Sequence, residues 1–397
     1  MLVCLGPTFA EPGSTTGFRV IVPLLEALHA RLADGPNGAS PILLAHPALP
    51  SMPEERLRND LVRSVAYTPA SDARTMWLQT AADYRVARDL MVEHQCTCCL
   101  MLGAEAQDVA PDTLLAMIDT VLRGQADLAV PCYETEIDEA LLNSALIYPL
   151  TRSIYGANVR MPLPVDLAMS ARMCERMGQA AAKALPGALM WPIAEAAAAG
   201  FSLAEVASAR RPDLQRGDID LNGIIALIGS SIFSDVESKA QFWQRTRPLL
   251  EVKHIGQNAA ITANKGAPDK AEANTLIDSF RLGYGNLHEI WALVLPPNSL
   301  LGLKKLSLMP VENFRMSNAL WVRVVYDFLL AHRLRTINRG HLLGALTPLY
   351  LAWVATYVLE CDTPDDAKKH VEALALAFEA DKPYLVSRWR WPDRFNP

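Results

Sequence analysis

Thr97–Gly103 reads TCCLMLG: five apolar residues in a row, Cys98 to Leu102, stopped by a glycine. A run this short with no polar alternation marks a strand covered on both faces. Such strands belong to parallel sheets, whose neighbours need a crossover helix between them. The flanks supply those helices. Thr75–Met91 has helical spacing, and Pro111–Leu122 opens on a proline, where the missing N–H of a first helical turn costs nothing. Further out, Leu2–Leu5 and Ile42–Ala45 are short apolar runs ended by Gly6-Pro7 and His46-Pro47. Gly17–Leu32 and Glu54–Val62 read as helices, and Asp127–Pro131 as another strand. The alternation predicts an α/β fold built on a doubly wound, mostly parallel sheet. Ligands of such sheets sit outside the carboxyl ends of the strands. The segments to watch are therefore Gly6–Glu11, His46–Leu49, Gly103–Asp108 and Cys132–Glu136.

Beyond about residue 215 the pattern changes. Ile219–Leu250, Ala271–Leu295, Val311–Arg335, Arg339–Leu359 and Thr363–Ala380 are long stretches with helical spacing. The expected organisation is a sheet domain over residues 1–215 and an all-helical domain over 216–397.

Composition removes several function classes. With 37 Lys+Arg against 43 Asp+Glu the net charge is −6, and no basic block offers a phosphate-backbone footprint, so nucleic acid is not an expected partner. At 51% hydrophobic residues the chain is not disordered. The 7 cysteines are odd in number, and Cys96, Cys98 and Cys99 crowd one apolar run without zinc spacing. That usage fits a reducing cytoplasm, the expected location. The first residues carry no basic segment and no long apolar run, so no signal peptide is expected. No phosphate-binding G-x-x-x-x-G-K-[ST] loop, G-x-G-x-x-G turn or nucleophile elbow occurs, and Gly283-Tyr284-Gly285 carries no signal of its own.

Two segments carry a family resemblance. Pro7-Thr8-Phe9-Ala10-Glu11 is similar to the P-[ST]-[YF]-N-E opening of GT-A glycosyltransferases. Tyr148-Pro149-Leu150-Thr151-Arg152-Ser153-Ile154-Tyr155-Gly156, followed by Val159-Arg160-Met161-Pro162-Leu163-Pro164-Val165-Asp166-Leu167, resembles the YPL-x-R-x-LYG…VRQP-x-GGDFG segment of the glucosylglycerate and glucosyl-3-phosphoglycerate synthase type, glycosyltransferase family 81 and its close relatives. Ala194–Val206 resembles the helix and strand that follow there, and Tyr326–Phe328 through Leu346–Tyr350 that group's helical part. The resemblance implies a GT-A fold that moves a hexose from a nucleotide-sugar to a small anionic hydroxy acid such as glycerate. It also implies Mg²⁺ or Mn²⁺ on a D-x-D strand exit, neutralising the diphosphate leaving group.

The sequence departs from that pattern where metal and acceptor chemistry is concentrated. The TCCLML strand exits into Gly103-Ala104-Glu105, which leaves Glu105 as the one carboxylate for a weakened metal site. Leu189 stands where the acceptor-side acid is expected, and Pro212 where a metal-binding His is expected. Asp166 matches the family's acidic site residue. Glu105 and Asp166 are accordingly the candidate catalytic residues, and Pro7, Thr8, Glu11, Arg152, Arg160, Arg210 and Arg211 the candidate donor-binding residues. Arginines can neutralise a diphosphate where metal ligands are lost. The expectation is a nucleotide-sugar-dependent hexosyltransferase. The alternative is a catalytically inactive pseudo-glycosyltransferase that acts as a sugar-nucleotide-binding or partner-binding scaffold. A homo-oligomer is compatible with the sequence.

Leu342–Leu359 holds 18 residues without a charge, the lower length limit of a membrane span. Gly344, Thr347, Pro348 and Thr356 interrupt it, and other amphipathic helices flank it, so a buried core helix is expected and a membrane is not. His332 and His341 read as partly buried residues of the same helical part. Trp389, Trp391 and Phe395, interleaved with Arg388, Arg390 and Arg394, read as a cation–π cluster closing the C-terminus on the body, with an exposed docking patch as the alternative.

Overall fold

The computed structural model describes residues 1–6, 25–30, 42–47, 62–68, 78–103, 109–209, 220–245, 248–257, 261–262 and 270–392. Ten strands occur among them: β1 Leu2–Leu5, β2 Ile42–Pro47, β3 Val62–Tyr67, β4 Cys98–Leu102, β5 Leu128–Tyr133, β6 Thr135–Glu136, β7 Leu167–Ser170, β8 Leu203–Ser208, β9 Val252–Ile255 and β10 Ile261–Thr262. Eight form one sheet in the order β3-β2-β1-β4-β7-β5-β8-β9. Every pairing in it is parallel except those of β7, which runs antiparallel to both β4 and β5. β6 and β10 pair separately.

The chain divides into two compact units. Residues 1–134, 159–217 and 251–259 make the sheet unit, and residues 135–158, 218–250 and 260–397 make the helical unit. The segments 135–158 and 251–259 thus lie on the far side of the single boundary at 215/216 that the sequence suggested. Strand β9 is one of those excursions.

In the sheet unit both faces are covered, as the TCCLMLG run requires. Val3, Leu5, Leu100 and Leu102 pack with Leu114, Met117, Ile118 and Val121 of the helix Pro111–Leu122. The opposite parity, Cys4, Cys99 and Met101, is equally buried. The helices Ala81–Glu93 and Ala171–Ala181 pack on the strands from that side, and the Cys99 and Cys174 thiols hydrogen-bond there. The helix Ala81–Glu93 starts at a reciprocal cap: Thr80 N–H and Oγ1–H both donate to Asp83 Oδ2, at 2.7 and 2.8 Å. The expected helix Glu54–Val62 is corrected at its end. Val62 opens strand β3, and the rest of that segment lies outside the described residues. β3 is an edge strand paired with β2 alone and exposed at Arg63, Ser64 and Ala66, so it lacks the apolar run that marks the central strands.

The helical unit is organised around the helix Arg339–Glu360. It is the one helix among the described residues long and apolar enough to cross a membrane, and 72% of its apolar window is buried inside the protein. Trp353, Leu349 and Ala352 are fully buried. It packs against the helix Lys270–Val294 through an unusually close approach at Gly283. A Cβ there would lie 2.5 Å from Pro348 Cβ and 2.8 Å from Pro348 Cγ, inside van der Waals contact with a rigid ring. Trp291 Nε1–H of the same helix donates to Ala345 O at 2.8 Å, beside the proline.

Gly283→Ala separates propensity from packing. Propensity alone would stabilise the helix by about 1 kcal/mol. The clash with Pro348 predicts a net loss of about 1–3 kcal/mol, measured as a lower urea midpoint with an unchanged slope.

Candidate functional site

The chain order fixes where a ligand of the sheet unit would sit. β1, β2 and β3 are laid outward in one direction, and β4 then pairs with the other side of β1, so the switch point lies between β1 and β4. At the carboxyl ends of these two strands stand Gly6 and Gly103. Gly6 N–H donates to Leu102 O at 2.9 Å, which keeps the two exits in contact.

Asp166 arrives at the same edge because β7 is reversed. Leu167, the first residue of β7, pairs with Met101 near the end of β4, so the residue before it falls beside Gly103. A parallel strand in that slot would have brought its last residue there instead. Asp166 is fully buried. Gly103 N–H donates to its Oδ1 at 2.9 Å and Tyr133 O–H to its Oδ2 at 2.7 Å. Tyr133 is the last residue of β5, so the carboxylate ties together the ends of β4, β5 and β7. Hydrogen bonds to a charged acceptor are worth about 1.5–3 kcal/mol each. Gln79 Nε2–H donates to Val165 O at 3.2 Å and holds the preceding residue.

A side chain at Gly103 would force Val165 to move. A Cβ would lie 2.1 Å from Val165 Cγ1 and 3.1 Å from Val165 O. With Val165 in this place, the first position of the expected D-x-D exit has no room for a carboxylate. Leu189, at the place of the acceptor-side acid, is buried and forms a β-bridge with Thr80. Among the described residues no cluster of three or more His, Cys, Asp or Glu forms a cation site. Glu105, Pro7, Thr8, Glu11, Arg210 and Arg211 lie outside the described residues.

Arg160 belongs to the sheet unit through its backbone. Its N–H, with that of Met161, donates to the carboxylate of Glu205 in the middle of β8. Glu205 is buried, and burial pushes its carboxyl up to about 7 against the pull of the two amides and of the Arg160 charge. His254 Nδ1, on the neighbouring strand β9, lies 3.4 Å from Glu205 Oε2. Cys132 of β5 is half-buried near this carboxylate, and its thiol is pushed up to about 12, chiefly by desolvation and then by the Glu205 charge. The loop from Arg160 to Asp166 is thus anchored by a buried carboxylate at each end. Glu205 was not among the expected site residues. Its one signal in the sequence is a lone acid inside an otherwise small and apolar strand, LAEVAS.

Arg152 belongs to the helical unit. Nε donates to Glu379 at 2.8 Å, and Nη1 to Glu372 at 2.7 Å and to Tyr148 Oη at 2.9 Å. Tyr155, one turn on, donates its O–H to Asp235 Oδ2 at 2.5 Å. The resemblance implied a donor-binding Arg152; the contacts observed are those of a residue joining the helices Tyr148–Tyr155 and Pro364–Arg390. His332 is fully buried against Phe233, its pKa pulled down to about 4 by burial and by Arg339 and Arg335. Near the C-terminus the two readings of the aromatic–arginine run divide. Trp389 is buried, edge-on to Trp243 with Arg333 4.1 Å above its ring, whereas Trp391 is 77% exposed.

No protein-family model and no curated protein matches the chain.

Two outcomes are expected. Gly103→Ala, with no catalytic group removed, should destabilise the sheet unit by about 1–3 kcal/mol, read as a lower thermal midpoint. For Glu205 the folded carboxyl titrates near 7 against an unperturbed 4.5, so the folded state binds a proton that the unfolded chain releases between those values. The contribution of Glu205 to stability is full below about pH 4.5 and is lost, by roughly 3 kcal/mol, as pH rises through 7. Glu205→Gln should therefore gain on the wild type as pH goes from 5 to 8; a constant gap between the two melting curves contradicts this.

Proposed function

We propose that the sheet unit binds a nucleotide-sugar at the carboxyl ends of β1 and β4 and passes the hexose to a small anionic hydroxy acid, as a GT-A-like glycosyltransferase. The observation that carries this reading is the edge formed by Gly6, Gly103 and Asp166. The exits of β1 and β4 lie side by side at the switch point, and a buried acid is held rigidly next to them. The resemblance around Tyr148–Gly156 and Val159–Leu167 supports it from the sequence side.

In this reaction the acceptor hydroxyl oxygen bonds to the anomeric carbon as the bond to the diphosphate oxygen breaks, and the hydroxyl proton passes to the departing diphosphate. The diphosphate departs with added negative charge that something must offset. Because Gly103 has no room for a carboxylate, we assign that task to arginine, with Arg160, Arg210 and Arg211 as the residues to test. Asp166 acts in this reading as a positioning residue: with both oxygens accepting from Gly103 and Tyr133, it fixes the strand exits.

A second reading has its own observation. Gly103 cannot present a ligand and Leu189 is a buried leucine at the acceptor-side position. Both favour a sugar-nucleotide-binding scaffold without turnover.

One experiment separates them. UDP-glucose and GDP-glucose are titrated into the protein, and hexose release or transfer to glycerate is followed with Mn²⁺ and with EDTA. Turnover that persists in EDTA supports the arginine-assisted transferase. Binding without turnover supports the scaffold. Absence of nucleotide-sugar binding overturns both.

A further inference from the structure

The helical unit contains a cavity of about 600 Å³ lined by the helix Tyr148–Tyr155, the segment Phe242–Arg245 and the last turns of the helix Pro364–Arg390. That is the size of a small-molecule site. Its charge runs against the chain as a whole. In a protein of net charge −6, the walls carry Arg152, Arg245, Lys382 and Arg390 against one carboxylate, Glu379.

That carboxylate is already taken, since Glu379 accepts from Arg152 Nε at 2.8 Å. The other three cations face no carboxylate of their own. Arg390 Nε–H donates to the neutral Gln244 Oε1 at 3.3 Å. Arg245 has no hydrogen-bond or ion-pair partner among the described residues. Lys382 Nζ donates to Ser153 O at 2.8 Å and Ile154 O at 3.2 Å, the last carbonyls of its neighbouring helix, and an ammonium has a third proton to give. Burial draws Lys382 down to about 8 against the pull of Glu379, as expected of a cation without a matching anion.

Most of the remaining wall is aromatic or aliphatic. Tyr155 and Phe242 lie with ring centroids 6.4 Å apart and planes 29° from parallel, and Trp391 stands 77% exposed at the rim. So large an uncovered ring beside a cavity is what a stacking surface looks like.

We propose that this cavity binds a small organic phosphate that carries a planar ring, with the phosphate held by Arg245, Arg390 and Lys382 and the ring laid against Trp391. Two guanidinium forks and an ammonium offer more donors than the two oxygens of a carboxylate can accept, whereas the three terminal oxygens of a phosphate monoester match them. The site is built from the helical unit alone and does not depend on the sugar-nucleotide reading.

The test is calorimetric titration of the full chain with phenyl phosphate, phenol and inorganic phosphate. Phenyl phosphate is expected to bind at least tenfold more tightly than either part alone. Arg245→Gln with Arg390→Gln, both exposed side chains that leave the core untouched, is expected to weaken it at least tenfold at an unchanged circular dichroism spectrum. Failure of phenyl phosphate to bind, equal binding of inorganic phosphate, or binding that survives the double substitution overturns the proposal. UDP-glucose titrated in parallel is expected to be indifferent to these substitutions, so the two readings stand or fall separately.

Discussion

The carboxylate of Asp166 is the constraint on which the carboxyl edge of the sheet depends. It is fully buried, and a charge or proton in that position persists only if its lone pairs are filled. Gly103 N–H and Tyr133 O–H each donate to one of its oxygens. Those bonds join three strand ends that are far apart in sequence. They hold Val165 against Gly103 so closely that a side chain at the latter position would have to displace it. One buried acid therefore shapes the strand exit and, by the same packing, removes the place from which a D-x-D exit would offer its first ligand.

Glu205 repeats the arrangement at the other end of the same loop. Its carboxylate takes the amides of Arg160 and Met161, as Asp166 takes that of Gly103. Buried acids that accept backbone N–H bonds rigidify a segment at the cost of their own desolvation. For Glu205 that cost is visible in a carboxyl pushed up to about 7. The Arg160–Asp166 loop is thus held at both ends by buried carboxylates.

In the helical unit the corresponding role falls to an arginine. Arg152 meets Glu372 and Glu379 of the long C-terminal helix, and Ser153, one residue on, shares hydrogen bonds with Tyr326 and with the carbonyl of Phe378. Polar contacts of this density between helices fix register more than they add stability. They also consume the negative charge around the neighbouring cavity and leave its remaining cations without carboxylate partners.

The TCCLMLG run determined by itself that a strand buried on both faces lies at residues 98–102, and the proline at 111 set the start of the helix Pro111–Leu122 to the residue. Burial leaves a local record in the sequence, because each apolar residue reports its own surroundings. The uncharged stretch 342–359 was legible as a core helix for the same reason. The direction of a strand leaves no such record: an antiparallel β7 and a parallel one bury the same residues. Only the tertiary structure could place Asp166 rather than Ser170 at the carboxyl edge. The sequence likewise showed Gly103 as a missing ligand but not as a position closed by Val165, and showed nothing in Gly283, whose meaning is the proline ring packed against it from another helix. Arg152 carried a family pattern in the sequence, but its partners, Glu372 and Glu379, lie more than 200 residues away. Contacts between distant segments are set by how elements dock, and docking depends on shapes that no single stretch of sequence contains.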